Sequence, residues 1–416
     1  MRDVDLLVVN AFELLTLAGP ERPRTRREMR DTASVPNGAA AADGGVVVET
    51  GDTADLVRKY RGRKTVDAAG RLVMPGFVDP HTHLVFAGSR ENEMVRRLSG
   101  VTYLDILKQG GGIHNTVAAT RNASIDDLME SARRWMRRIL EHGTTTVEIK
   151  SGYGLDQGTE EKILDVISRL KQEGPLDVIA TFLGAHAVPS SGNRAEYMDW
   201  LVRDAMTRFK DKAEFCDVFC EDGAFTLNES ERILRSAKES GYKLKIHAGQ
   251  FNDLEAVRMA ALMGAVSADH LDHVSAGQLD LMREKGMVAV LLPGVTFFLG
   301  SDTYPDYQKF EEQGVPVALA TDFNPGSCPC YSMQMMIALA VHRMGMTAEE
   351  AVTASTVNAA WAVDRGKRVG SLEPGKQADL IVLDVRNAAQ IPYYFGTNLV
   401  RTVVKKGRVV VEERNG

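Results

Sequence analysis

Two histidines flank one threonine in Val78-Asp79-Pro80-His81-Thr82-His83. Side chains two apart in extended chain point to the same face. Both imidazoles can therefore meet one metal ion, or can be two polar groups at a strand end. Downstream residues choose between these readings. Chemically capable side chains recur at the ends of apolar runs: Glu148-Ile149-Lys150-Ser151-Gly152-Tyr153, Gly184-Ala185-His186, Ile246-His247-Ala248-Gly249-Gln250, Asp269-His270 and Thr321-Asp322-Phe323-Asn324-Pro325-Gly326-Ser327. Five of the nine histidines fall at such ends. Neutral imidazole and carboxylate suit a borderline divalent ion such as zinc or iron. His81, His83, His247 and Asp322 can hold one and leave a position for water. An ion so held makes hydroxide available near neutral pH. His270 and Asp322 are placed to move a proton; His270 follows its strand directly, which favours it over His273. A bridged pair of ions needs an anionic bridge, often a modified lysine on the fourth strand. That strand, Phe215-Cys216-Asp217-Val218-Phe219-Cys220, has none, so one ion is expected.

The elements that must position these groups alternate. Strand-like apolar runs begin near Phe77, Thr144, Asp177, Glu214, Lys243, Ser267, Met287 and Val315. Helical spacing fills Ile125–His142, Thr159–Lys171 and Asn228–Ser240. Eight strands alternating with helices predict an α/β fold, a (β/α)8 TIM-type barrel with its site at the C-terminal strand ends. The lead-in Leu72–Val78 reads as one buried strand delivering the histidine pair. Both chain ends are β-rich. They predict a small composite β-sandwich domain from residues 1–72 and 377–416, with the barrel, 73–376, inserted between them. Residues 20–45 carry prolines, arginine pairs and a run of four alanines, and read as a poorly ordered surface loop.

The chain has 416 residues and a net charge of −6. That length suits one large barrel plus extras, and the charge indicates no nucleic-acid partner. No apolar run reaches the roughly 18 residues of a membrane span. The start, Met1-Arg2-Asp3-Val4-Asp5, has no secretory apolar region. Four cysteines do not make a disulfide scaffold in a chain this long, so a cytoplasmic protein is expected. Cys328-Pro329-Cys330 has no second thiol pair nearby and reads as free thiols. Lys150 reads as the partner of a barrel carboxylate such as Glu148. Gly110-Gly111-Gly112 lacks the ending of a phosphate loop and reads as a mobile loop near the mouth. His114, His142 and His342 read as structural or exposed.

The chain resembles the amidohydrolase superfamily, metal barrels joined to a small β-sandwich. The stretches that carry the resemblance are Pro75–His83, Phe86-Ala87-Gly88-Ser89-Arg90, Gly110–Ile113, Glu148–Leu155, Phe182–His186, Ile246–Gln250, Ala268–His270 and Ala320–Ser327. Ser-Gly-Tyr-Gly, Ala-Gly-Ser-Arg and Asp-Phe-Asn-Pro-Gly are the narrow ones. They point to the branch that opens the cyclic amide 4-imidazolone-5-propanoate to N-formimidoyl-L-glutamate in histidine breakdown. The resemblance implies that His81, His83, His247 and Asp322 bind the metal. It implies that Arg90 and Tyr153 grip the propionate, that His186 and Gln250 bond the ring, and that Asn324, Gly326 and Ser327 complete the pocket. His270 would polarise the carbonyl or relay a proton. Some members carry glutamate at position 250, where it has been cast as a base. Glutamine cannot take a proton at neutral pH, which shifts that role to Asp322 and His270. The partner implied is a small molecule, and a homodimer is the commonest assembly. The alternative is an aminohydrolase acting on another small heterocycle, which would need no carboxylate clamp.

Overall fold

The computed structural model describes residues 1–101, 111–190 and 192–412. Five strands open the chain: β1 (Arg2–Leu15), β2 (Ser34–Asp43), β3 (Val46–Asp52), β4 (Tyr60–Asp67) and β5 (Leu72–Pro75). Eight more follow: β6 (Phe77–Asp79), β7 (Thr144–Lys150), β8 (Asp177–Ala185), β9 (Phe215–Cys220), β10 (Lys243–Ala248), β11 (Ser267–His270), β12 (Val288–Leu291) and β13 (Val317–Leu319). The last three are β14 (Leu380–Leu383), β15 (Val400–Lys405) and β16 (Arg408–Glu412).

Strands β6 to β13 lie side by side in chain order, each parallel to the next. They begin at or within two residues of the expected positions, and the helices expected at 125–142, 159–171 and 228–240 are present. The sheet closes through chain that runs on past β6 and β13. The His83 amide donates to the Phe323 carbonyl (2.9 Å) and the Asp322 amide to that of His81 (3.0 Å). Beneath them Asp79 accepts from the Thr321 amide at 3.1 Å and hydroxyl at 2.5 Å. Burial pushes the Asp79 carboxyl up to about 7, against the pull of those Thr321 bonds. The barrel is thus sealed where the His-x-His leaves the sheet.

The expected single strand at 72–78 is two strands. Pro75-Gly76 breaks the run, so Leu72–Pro75 joins the small sheet and Phe77–Asp79 joins the barrel. Continuous burial hides that division, since every residue from Leu72 to Asp79 is buried. The small sheet runs β16-β15-β14-β5-β1-β2-β3, with β4 also on β1. β14 lies antiparallel to β5 and so joins the two chain ends. β1 serves two neighbours in succession: its first half pairs with β4 and its second with β5, across an irregularity near Asn10.

Residues 20–45 are ordered, contrary to the sequence reading. A 3-10 turn covers Arg26–Arg30 and β2 takes up the alanines. Ala40 and Ala42 pack into one face of the sheet; Ala39 and Ala41 pack under the helix Thr53–Lys59 with Leu56. Small side chains let a strand be covered on both faces, which reads as low complexity in sequence. Arg24 is buried, and its backbone exchanges hydrogen bonds with the Asn358 side chain at 2.7 and 2.9 Å. Gly111 and Gly112 precede a helix, Ile113–Asn122, whereas Gly110 lies outside the described residues. Among the described residues no helix is long and apolar enough to cross a membrane.

Asp177, at the start of β8, ties barrel to small sheet. It meets Lys405 at 3.0 Å, Lys406 at 2.8 Å and the Gln377 amide at 2.7 Å. Burial works against its charge, but Lys405 and the hydrogen bonds hold the carboxyl down at about 2. A depressed folded pKa stabilises above the unfolded value, near 4, and the gain is lost as pH falls towards 2. Asp177→Asn should therefore cost roughly 1–2 kcal/mol at pH 7. Thermal midpoints of the two proteins should converge between about pH 4 and pH 2; a gap that ignores pH would remove the ion pair as its cause.

Candidate active site

His81 and His83 lie just beyond β6, with Thr82 bridged to Phe323 across the closure. That puts both imidazoles on one side of the strand, facing the barrel axis. His81 Nε2 is 3.2 Å from His83 Nε2, and each is 3.3 Å from Asp322 Oδ1. Ligand atoms about 2.0–2.1 Å from a tetrahedral ion stand about 3.3–3.4 Å apart, so these spacings fit one. His247, from β10, completes a triad whose ligand atoms all lie within 4.8 Å of one another. Its Nε2 is buried with no hydrogen-bond partner. An orphaned lone pair, two imidazole nitrogens in contact and a facing carboxylate are the donor set of a divalent ion.

Carboxylates stand behind two members of the triad, His81 and His247. His81 Nδ1 donates to Asp269 Oδ2 at 2.7 Å, and His247 Nδ1 faces Asp217 Oδ2 at 3.0 Å. A carboxylate can only accept, so His81 Nδ1 carries the proton and its Nε2 lone pair points inward, and the Asp217 carboxylate beside His247 Nδ1 favours the same tautomer there. Lys150 holds both carboxylates, Asp217 at 2.8 Å and Asp269 at 3.5 Å, and also Glu148 at 2.8 Å. The last is the partner its sequence position suggested. Lys245 stands 3.8 Å from Glu148 and 3.7 Å from Asp269, and donates to the Pro80 carbonyl at 2.9 Å. All five side chains are buried. Burial opposes charge on Lys150, but Asp217, Glu148 and Asp269 more than offset it and hold its pKa above the ordinary lysine value. Burial likewise opposes charge on Asp217, yet His247 and Lys150 hold it well below the usual carboxylate range.

Burial first, then the neighbouring cations, holds His81, His83 and His186 well below the ordinary histidine pKa. Burial brings His270 down to about 3 although Asp322 pulls it up. Burial raises Asp322, against the pull of His270. His270, Leu271 and Asp322 have φ of 83°, 63° and 52°. Three successive or facing non-glycine residues in the left-handed region are strain concentrated at the mouth.

Above the triad opens a cavity of about 530 Å³. His83, Arg90, Tyr153, His186, His247, Gln250, His270, Asp322, Asn324 and Ser327 line it. Of the residues singled out from sequence, His81 lies beneath the floor and Gly326 is not on the wall. The Gly326 amide already donates to Asn324 Oδ1 at 2.7 Å. What Gly326 supplies is the absence of a Cβ, which would fall 1.8 Å from Arg90 Nη1. Asn324 Nδ2 and Ser327 Oγ hold Asp322 Oδ2 at 3.0 and 3.1 Å. His186 stacks on His83 with centroids 4.7 Å apart, and its Nδ1 is 3.1 Å from the Gly152 carbonyl. Buried Glu160 fastens the loop that carries Tyr153, accepting from the amides of Gly152, Gly154 and Leu155 at 3.0, 2.7 and 3.0 Å. A Cβ at Gly152 (φ +112°) would lie 2.7 Å from the Leu183 carbonyl oxygen.

Some cavity-lining positions escaped the sequence reading. His114, expected to be structural or exposed, lines the cavity from the helix Ile113–Asn122. Glu221 lines it too, accepting from the Phe251 amide at 2.9 Å and Asn252 Nδ2 at 3.1 Å. Asp217 and Asp269 sit on barrel strands, and that position was their one available signal.

Residues 72–410 match the amidohydrolase family. An imidazolonepropionase of Alkaliphilus oremlandii (strain OhILAs) is 43% identical over 99% of each chain. One from Caldanaerobacter subterraneus subsp. tengcongensis is 44% identical over 98% of each. Among solved structures, a zinc-bound adenosine deaminase from Xanthomonas campestris aligns with a TM-score of 0.76 at 18% identity, over 99% of this chain and 94% of that one. A 5-methylcytosine deaminase from Klebsiella pneumoniae aligns at 0.75 and 18%, over 99% of each. The two deaminases share the fold, while the sequence kinship runs along the whole chain: this protein belongs to the amidohydrolase family, among the imidazolonepropionases.

Proposed function

We propose that the chain hydrolyses 4-imidazolone-5-propanoate to N-formimidoyl-L-glutamate, a step of histidine degradation. The observation that carries this reading is the pairing, in one cavity, of the His81/His83/His247/Asp322 donor set with the Arg90 guanidinium. The whole-length likeness to imidazolonepropionases supports it. A heterocycle aminohydrolase would have no use for Arg90 there.

His81, His83, His247 and Asp322 would hold a single divalent ion, zinc or iron. When bound, such an ion supplies Lewis acidity, lowering the pKa of a water from about 16 to about 7 and drawing charge from a carbonyl oxygen. Arg90, with Tyr153, grips the propionate through a planar fork. His186 and Gln250 hydrogen-bond the ring edge. Together they fix the ring carbonyl over the floor. Asp322 takes the proton released by the attacking water and returns it to the ring nitrogen as the carbonyl carbon–nitrogen bond breaks. His270, neutral, donates a hydrogen bond to the oxygen on which charge develops. Asn324 and Ser327 keep Asp322 oriented through its other oxygen. All these groups fall between residues 81 and 327, inside the barrel, which begins at β6 (Phe77–Asp79), one strand later than residue 73; the two chain ends form its frame. The four cysteines are free, which supports a reducing compartment, the cytoplasm. Tyr393, Tyr394 and Phe395 are exposed on one short segment, which supports a homodimer face.

Three outcomes test the assignment. Asp322→Asn should fold, by circular dichroism, yet lose at least ~10³-fold in kcat, the scale of a missing acid–base group; near-normal turnover would refute its role. Arg90→Ala should raise KM by roughly 10- to 150-fold, or about 1.5–3 kcal/mol, whereas an unchanged KM would remove the clamp. Elemental analysis should find about one zinc or iron per chain, lost with activity on chelation; two per chain would overturn the single-ion reading.

A further inference from the structure

Arg90 and Glu93 sit one turn apart at the start of the helix Glu91–Leu98, with side chains only 7% and 11% exposed. Glu93 Oε2 accepts from Arg90 Nε at 2.9 Å. Its other oxygen accepts from the Gly112 amide at 2.9 Å and from Asn115 Nδ2 at 2.7 Å. On its far side the guanidinium lies against Gly326, whose missing Cβ leaves room for Nη1.

We propose that Glu93 is a positioning residue for the carboxylate clamp: it orients the Arg90 guanidinium and locks it to the segment that begins the helix Ile113–Asn122. The inference rests on the reading of Arg90 as the propionate grip. With Nε engaged, the arginine offers its Nη1–Nη2 edge, and the torsions that swing the planar guanidinium about its methylene stem are fixed. A bidentate grip on a carboxylate requires that fixity. The same carboxylate seats Gly112 and Asn115, and so Ile113 and His114 on the cavity wall. One buried group thereby aligns the grip and the wall beside it.

Charge and orientation make opposite demands at this position. Removing the negative charge of Glu93 leaves a stronger field for an anion and would by itself lower KM. Releasing the guanidinium raises KM. Glu93→Gln cannot accept from both Nε and Gly112 as the carboxylate does, so the sign of the change decides.

The test measures kcat, KM and thermal midpoint for Glu93→Gln, Glu93→Asp and Arg90→Ala, and for each Glu93 variant combined with Arg90→Ala. The expected result is a KM raised about 10-fold in Glu93→Gln with kcat within about 3-fold. Glu93→Asp keeps the charge, one methylene short, and should give a smaller rise, about 3-fold. Both rises should disappear in the Arg90→Ala background, since coupled groups are not additive. A KM that falls or stays level in Glu93→Gln, or a rise that persists without Arg90, overturns the proposal. If Glu93→Gln fails to fold, Glu93→Asp against Arg90→Ala carries the same decision. If Arg90→Ala alone leaves KM unchanged, the clamp itself fails and this inference with it. A raised KM in Arg90→Ala but not in the Glu93 variants removes only the role of Glu93.

Discussion

Everything at the mouth depends on one buried ammonium. Lys150 stands among Asp217, Asp269 and Glu148 on the barrel axis. Without it, three buried carboxylates would share one remaining ammonium, that of Lys245, and repel one another in a dry interior. With it, Asp217 keeps its charge beside His247, and Asp269 accepts from His81. The protonated Nδ1 of His81 then leaves its Nε2 lone pair facing His83 Nε2. Lys150, with Lys245 beside it, thus holds the carboxylates that meet His81 and His247 from below.

Such an arrangement is costly to bury. Barrel interiors are ordinarily filled by branched apolar residues, and ion pairs in low dielectric gain little net stability. Here Glu148, Lys150, Asp217, Lys245 and Asp269 occupy that space. Their stabilising partners are local: Thr181 donates to Glu148, Ser267 to Asp269, and the Val218 amide to Asp217. Apolar packing is displaced to the outside of the strands and to the barrel floor, where Val78, Ile179, Phe215, Val290 and Ala318 pack together. The barrel trades core for a polarised column, and its strained corners at His270 and Asp322 sit on top of that column.

Much of this was legible in the residues. Strand starts follow from apolar runs bounded by helical periodicity, and a barrel puts its chemistry at the strand ends. Thus the convergence of His81, His83, His186, His247, His270 and Asp322 at one end of the barrel follows from position alone. What stayed hidden has a common cause. Glu93, Glu160 and Glu221 act through backbone amides, and nothing in a sequence shows which amide a glutamate will meet. The split of residues 72–79 between two sheets was invisible because both halves are buried. The alanine run of β2 looked like a loop, because a strand covered on both faces loses the alternation that marks strands. Gly326 was read as pocket wall; its contribution is the space into which Arg90 fits.

The junction of β5 with β14 has a consequence for how the chain is made. β5 is complete by residue 75, but its antiparallel neighbour begins only at residue 380. During synthesis at about 5–20 residues per second, that flank waits on the order of 15–60 seconds for its mate. Throughout that interval the nascent N-terminal sheet carries an open, apolar edge, Leu72-Val73-Met74, of the kind that templates association between chains.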